Sequence, residues 1–154
     1  MFSVSLESQK QVLHFKLKTL DLIEIYFNRQ LKSPIILTLL YPLIKLARTW
    51  STGNADAKQL SQKIYAIFRN KISKVKDYPR TGFDLSSVKS ILEQIHTEAQ
   101  KVQDKELLIT CSFTSILLTK IILNANVDSN KKLKTNRGEV VSGDDVSFFI
   151  LFIF

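Results

Sequence analysis

HFKLKTLDLIEIYFNRQLKSPIILTLLYPL, running from His14 to Leu43, decides the fold. The apolar residues Val12, Leu13, Phe15, Leu17, Leu20, Leu22, Ile23, Tyr26, Phe27 and Leu31 form one broad face of a helix expected from Glu7 to Leu31. His14, Lys18, Asp21, Asn28 and Arg29 gather opposite it. A face this wide predicts neighbours on two sides, as in a layered helical stack. Lys32 and Ser33 make a hinge. Ser33 offers an oxygen to an orphan amide, and Pro34 fits a first turn where its missing N–H costs nothing. A second helix should run from Pro34 to Ser51 on Ile36, Leu39, Leu40, Leu43, Ala47 and Trp50, with a kink expected at Pro42.

Three more helices follow. Asn54 is placed to cap the third, which carries Leu60, Ile64, Ile67, Phe68, Ile72 and Val75, and Tyr78-Pro79-Arg80-Thr81-Gly82 breaks it. Asp84 is placed to cap the fourth, with Leu85, Val88, Ile91, Leu92, Ile95, Ala99 and Val102 on one face. Asp104 starts a fifth that should end near Asn124. This helix is apolar nearly all round, and Leu107 to Ala125 approaches the length of a bilayer span. Lys120 and the polar Thr110, Ser112, Thr114 and Ser115 argue instead for a buried central helix, with no membrane involved.

The expected fold is therefore all-α, with antiparallel helix pairs of 40 to 50 residues stacked as an armadillo- or HEAT-like solenoid fragment of about five helices. The helical body should occupy 1–125 and a disordered tail 126–154, since NVDSNKKLKTNRGEVVSGDDVS has no helical period. The tail ends in FFILFIF, seven apolar residues too short to span a membrane. That run could form an aggregating strand, pack on the helical body, or be sequence read past a normal exon boundary.

Charge and chemistry narrow the functions. Of 154 residues, 22 are Lys or Arg and 14 Asp or Glu, a formal charge of +8. The excess lies wholly before Asn126, so the helical body is basic and attracts nucleic acid, anionic lipid or acidic proteins. A single cysteine, Cys111, excludes an internal disulfide and fits a reducing compartment; without an adjacent cation it reads as a packed thiol. The amino terminus lacks the pattern of a secretory signal, which predicts an intracellular protein.

The four glycines have no phosphate-cradling spacing. His14 and His96 lack a second ligand at metal spacing. Gly143-Asp144-Asp145 imitates a polymerase carboxylate turn but lies in the expected tail. No catalytic, cofactor or metal residue is assigned. The candidate nucleic-acid contacts are Arg69, Lys71, Lys74, Lys76 and Arg80, a run enclosing one acid, Asp77.

The string His14-Phe15-Lys16-Leu17-Lys18-Thr19-Leu20-Asp21-Leu22-Ile23-Glu24, followed by Ser33-Pro34-Ile35-Ile36-Leu37-Thr38-Leu39-Leu40-Tyr41-Pro42-Leu43, resembles the carboxy-terminal helical region of the Myb-binding protein 1A family. That family is also called DNA polymerase phi, or DNA polymerase V in fungi. The resemblance extends over Gln9 to Asn124. It implies a large nucleolar protein built as an armadillo-like solenoid, acting in ribosomal RNA gene transcription and ribosome biogenesis. The implied partners are transcription factors or other nucleolar proteins, with DNA or RNA as the alternative. The chain departs from the family in its shorter length and in its tail from Val127, which suggests a fragment whose partner is the rest of a larger solenoid. The polymerase name finds no nucleotide-binding or carboxylate residues here.

Overall fold

The computed structural model describes residues 2–134, with side chains described from 5 to 131. Five α-helices follow in order: α1 (Phe2–Arg29), α2 (Ile35–Ser51), α3 (Ala55–Ile67), α4 (Leu85–Gln100) and α5 (Lys105–Lys134). A π-helical turn, Phe68–Ile72, continues α3. No strand occurs among the described residues. The expected all-α class is what the chain adopts, and its helix pairs pack in a manner compatible with a solenoid fragment.

The helix starts follow the capping chemistry. Asn54 Oδ1 accepts from the Ala57 N–H at 2.9 Å, and Asp104 Oδ1 from the Glu106 N–H at 3.0 Å. Ser33 Oγ lies 3.4 Å from the Ile35 N–H and accepts from the Tyr26 hydroxyl at 3.0 Å, which ties the end of α1 to the start of α2. Asp84 occupies the cap position of α4 with its carboxylate turned to the Ser86 and Ser87 hydroxyls. The Ser86 hydroxyl is the main reason its pKa is lowered. α2 runs through Pro42 as one continuous helix.

α2 and α3 pack as one pair and α4 and α5 as another; α2 also touches α4 and α5, while α1 lies on α3 and the π turn. The core joins Leu20 and Phe27 of α1 to Ile36, Leu40 and Ile44 of α2, Ile64 of α3, Ile95 of α4 and Leu118, Ile121 and Ile122 of α5. Burying each such side chain stabilises by about 1.5–3 kcal/mol. Glu98 of α4 is 6% exposed and pairs with Arg48 of α2, fastening the two helices by a charge within the core.

Four features depart from expectation. α1 begins at Phe2, ahead of Glu7. The third helix stops at Ile67, short of Val75, and passes into the π turn. The Ser73 N–H donates to Phe68 O at 3.0 Å, widening the turn by one residue, and Ile72 is buried while Lys71 is half-buried.

α5 is not buried all round: Leu108, Ile109 and Ile116 are 37–46% exposed. Half of its most apolar 18-residue window is buried, and by length and composition alone it is apolar enough to cross a membrane. Its hydroxyl residues explain instead how polar side chains can sit on its covered side, where Thr110 and Thr114 are buried. Thr110, Ser112 and Thr114 donate to carbonyls one turn earlier and need no other partner.

Finally, α5 continues to Lys134, ten residues past Asn124. Nothing breaks it there, since no Pro or Gly occurs until Gly138, and Lys131 suits the negative end of a helix dipole. Of the expected disordered tail, 126–134 is thus helical. The remaining residues, 135–154, lie outside the described residues, as do Gly143-Asp144-Asp145 and FFILFIF.

Candidate functional site

The basic run divides at the π turn. Arg69 and Lys71 belong to that turn, while Lys74, Lys76 and Arg80 lie on the loop that follows, so Arg69 and Lys76 are not stacked two turns apart on one helix. Arg69 turns to α5, with its guanidinium 3.6 Å from Glu106 Oε2, beyond hydrogen-bond length. Glu106 Oε2 has no hydrogen-bond donor. Arg80 sits over the Tyr78 ring at 5.7 Å.

The loop is fastened to the α1–α2 turn. Gly82 has φ +80°, and a Cβ there would stand 3.2 Å from Pro34 Cγ. Asp77, the acid within the run, pairs at 3.8 Å with Lys32 of that turn. Lys32 therefore belongs to the basic surface, a neighbour that sequence spacing did not reveal. Lys74, Lys76 and Arg80 are exposed, Lys71 half-buried.

A second surface runs along the outer side of α1. Val12, Phe15, Leu22 and Ile25 are 50%, 72%, 67% and 48% exposed. Val12, Phe15, Thr19 and Leu22 recur at three and four and make a continuous seam. Lys18 and Arg29 flank it. The two acids of this part of α1 face elsewhere: Lys63 of α3 reaches Asp21 Oδ1 at 3.0 Å and Glu24 Oε2 at 2.7 Å. The Lys63 hydrogen bond lowers the Asp21 pKa, and the Glu24 and Asp21 bonds raise that of Lys63. On the seam's other flank Lys16 lies over the Trp50 ring at 5.6 Å, at the rim of a cleft of about 250 Å³ between α1, α2 and α3.

On the far side of the stack α4 and α5 form a groove of about 260 Å³, lined by His96, Ala99, Gln100, Leu108, Cys111, Ser112 and Ser115. Burial pushes the Cys111 thiol up to about 11, so it stays protonated and packed, and burial lowers the pKa of half-buried His96. His14 is exposed on α1. Among the described residues no three His, Cys, Asp or Glu side chains converge as a metal site would require. Tyr65, whose hydroxyl donates to Asp104 at 2.9 Å, is raised above its ordinary pKa chiefly by burial.

These features define a class: an all-α stack of helix pairs with an apolar stripe open on each flank. Among curated proteins, a Myb-binding protein 1A-like protein of Danio rerio is 24% identical over 118 residues, which covers 74% of this chain. The chain spans 9% of that relative's length. No family profile matches the chain, and no solved structure does.

Proposed function

We propose that the chain is a non-enzymatic helical scaffold module, nuclear and nucleolar, serving ribosomal RNA gene transcription and ribosome biogenesis through protein–protein contacts. The observation that carries it is the open α1 seam. Exposed apolar patches of this kind are where soluble proteins take partners, and a unit cut from a helical stack exposes the faces its neighbours cover. The relative is named for binding Myb, and the chain spans 9% of its length, so further parts of such a longer protein are one class of partner.

The test is capture of transcription-associated nucleolar proteins by the tagged chain in cells. Phe15→Asp with Leu22→Asp should abolish both capture and nucleolar enrichment. Location confined to the cytoplasm or to membranes, or capture unaffected by the double change, would overturn the reading. Metal-dependent nucleotide incorporation by the purified chain would overturn its non-enzymatic part.

The Lys32–Asp77 pair favours a second reading, salt-sensitive DNA or RNA binding, because it gathers the α1–α2 turn with the loop carrying Lys74, Lys76 and Arg80. Here Lys74→Gln with Lys76→Gln should weaken binding to any sequence and flatten its salt dependence. Unchanged affinity would remove this surface from consideration.

A further inference from the structure

The open face of α1 is complementary to itself. Phe15 and Leu22, 72% and 67% exposed, lie one heptad apart and point the same way to within about 20°. Val12 and Ile25 lie beyond them in either direction along the helix, on the two edges of the seam. Glu7, Lys18 and Arg29, all exposed, follow one of those edges at equal intervals of three turns, roughly 16 Å. That row is negative at one end and positive at the other.

A two-fold axis passing between Lys18 and Thr19 uses each of these features. It sets a second α1 antiparallel to the first, and under such symmetry one residue meets another wherever the second meets the first. Phe15 falls opposite Leu22 of the second copy, and this contact occurs twice. Val12 comes to the level of the second copy's Ile25. Glu7 comes within one residue of the level of the second copy's Arg29, on the same edge, so two ion pairs form. What opposes association is at the centre, where the two Lys18 side chains stand near the axis. Asp21, on which Lys18 acts within its own chain, offsets part of that repulsion.

α1 also has turns in need of a cover. Its side chains from Ser5 to Val12 are exposed without a break, and helical turns that nothing packs against have little stability in water. In the antiparallel pair they lie along the Leu22–Arg29 half of the second copy, which buried Phe27 fixes to its body. Contact from Glu7 to Arg29 spans roughly 33 Å of helix. One helix pair of this length makes a small interface, below about 1,200 Å², so the association is reversible.

We propose that two copies of the chain associate through α1, antiparallel about a two-fold axis between Lys18 and Thr19, with Phe15 against Leu22 and Glu7 against Arg29. This association rests on that face being an interaction surface and names one occupant of it. The test below uses the purified chain alone, so it can fail while capture of nucleolar proteins in cells succeeds.

The measurement is sedimentation equilibrium of the full chain over a wide range of concentration. The mass should rise from one chain towards two and no further, and Phe15→Asp should leave the chain monomeric. Glu7→Lys and Arg29→Glu each turn both ion pairs into like-charged pairs, so each alone should weaken association about fivefold. Combined in one chain they re-form the pairs with the charges exchanged, and the affinity should return to within about twofold of the parent. Lys18→Thr should tighten the dimer by removing the repulsion at the axis. All four positions are exposed, so each variant should keep the helical circular-dichroism spectrum of the parent. A chain that stays monomeric throughout would overturn the proposal and leave the seam to a different protein. A dimer that survives Phe15→Asp would overturn it as well, since another part of the chain would then make the contact. So would a double reversal that associates no better than the single variants, because the two helices would then not be paired in this register.

Discussion

α1 and α5 have nearly the same length, 28 and 30 residues, and each leaves apolar side chains in solvent, yet they are held by different means. α5 buries Leu107, Cys111, Leu117, Leu118, Ile121 and Ile122 against four other elements, with Thr110, Thr114 and Ser115 buried beside them. α1 fully buries only Leu20 and Phe27 among its described side chains and rests on α3 and the π turn. Leu13, Leu17, Ile23 and Tyr26 pack against the core while partly exposed, and Lys63 holds two carboxylates of α1. One helix is an anchor of the core, and the other is a cladding held by two fully buried apolar side chains, a row of half-buried ones and an ionic clamp. A face used for binding belongs on the second kind, because it adds partners without disturbing the core.

The largest test of this contrast is Phe27→Ala, which removes a fully buried ring at about 3–5 kcal/mol. If α1 is cladding, hydrogen exchange should accelerate along α1 while α4 and α5 keep most of their protection. Equal acceleration throughout would make α1 part of the same cooperative unit as α5. Leu118→Ala, at about 2–5 kcal/mol, should by contrast lower protection everywhere.

Arg48→Ala leaves the Glu98 carboxylate buried without its partner. Arg48 is itself 40% exposed, so the loss should fall near or below the low end of the 3–5 kcal/mol range for broken buried pairs. The measurement is chemical denaturation, and Arg48→Lys should recover part of it.

Lys63→Ala should cost on the order of 1 kcal/mol or less, because the clamp is partly solvated. Its signature is again faster exchange confined to α1. Acid should act in the same direction: with the Asp21 pKa lowered in the folded chain, its contribution is present at neutral pH and lost as pH falls through that depressed value. The smallest effects concern His96 and the open seam. With the His96 pKa lowered by burial, the unfolded chain binds the proton more readily. Stability should therefore decline slightly as pH falls through the ordinary histidine range, and His96→Gln should flatten that slope. Phe15→Ser should change stability by no more than about 0.5 kcal/mol, as a surface substitution does.

Much of the fold was legible because helix signals are local. Asn54, Asp104 and Ser33-Pro34 mark starts through bonds spanning two or three residues, and the spacing of Val88, Leu92 and Ile95 marks the buried face of α4 without knowledge of what covers it. The end of α5 was not legible, since the absence of an apolar period after Asn124 says only that nothing covers the helix there. The π turn was concealed for a related reason: an apolar period that continues through Phe68 and Ile72 does not show where one residue widens a turn. The basic run was visible as composition, but its division between α5 and the α1–α2 turn was not.

The sequence by itself determined that the chain is helical, where most of its helices start, and that its body is basic. These are properties of composition and of bonds between near neighbours. Only the tertiary structure decided which side of each broad apolar face is covered. Leu20 and Phe27 lie in the core while Phe15 and Leu22, on the same helix and equally apolar, face solvent. It also decided which charges are spent, as when Lys63 takes up Asp21 and Glu24 and leaves Lys18 and Arg29 beside the open seam. Burial and ion pairing depend on residues tens of positions away, brought near by the packing of whole helices.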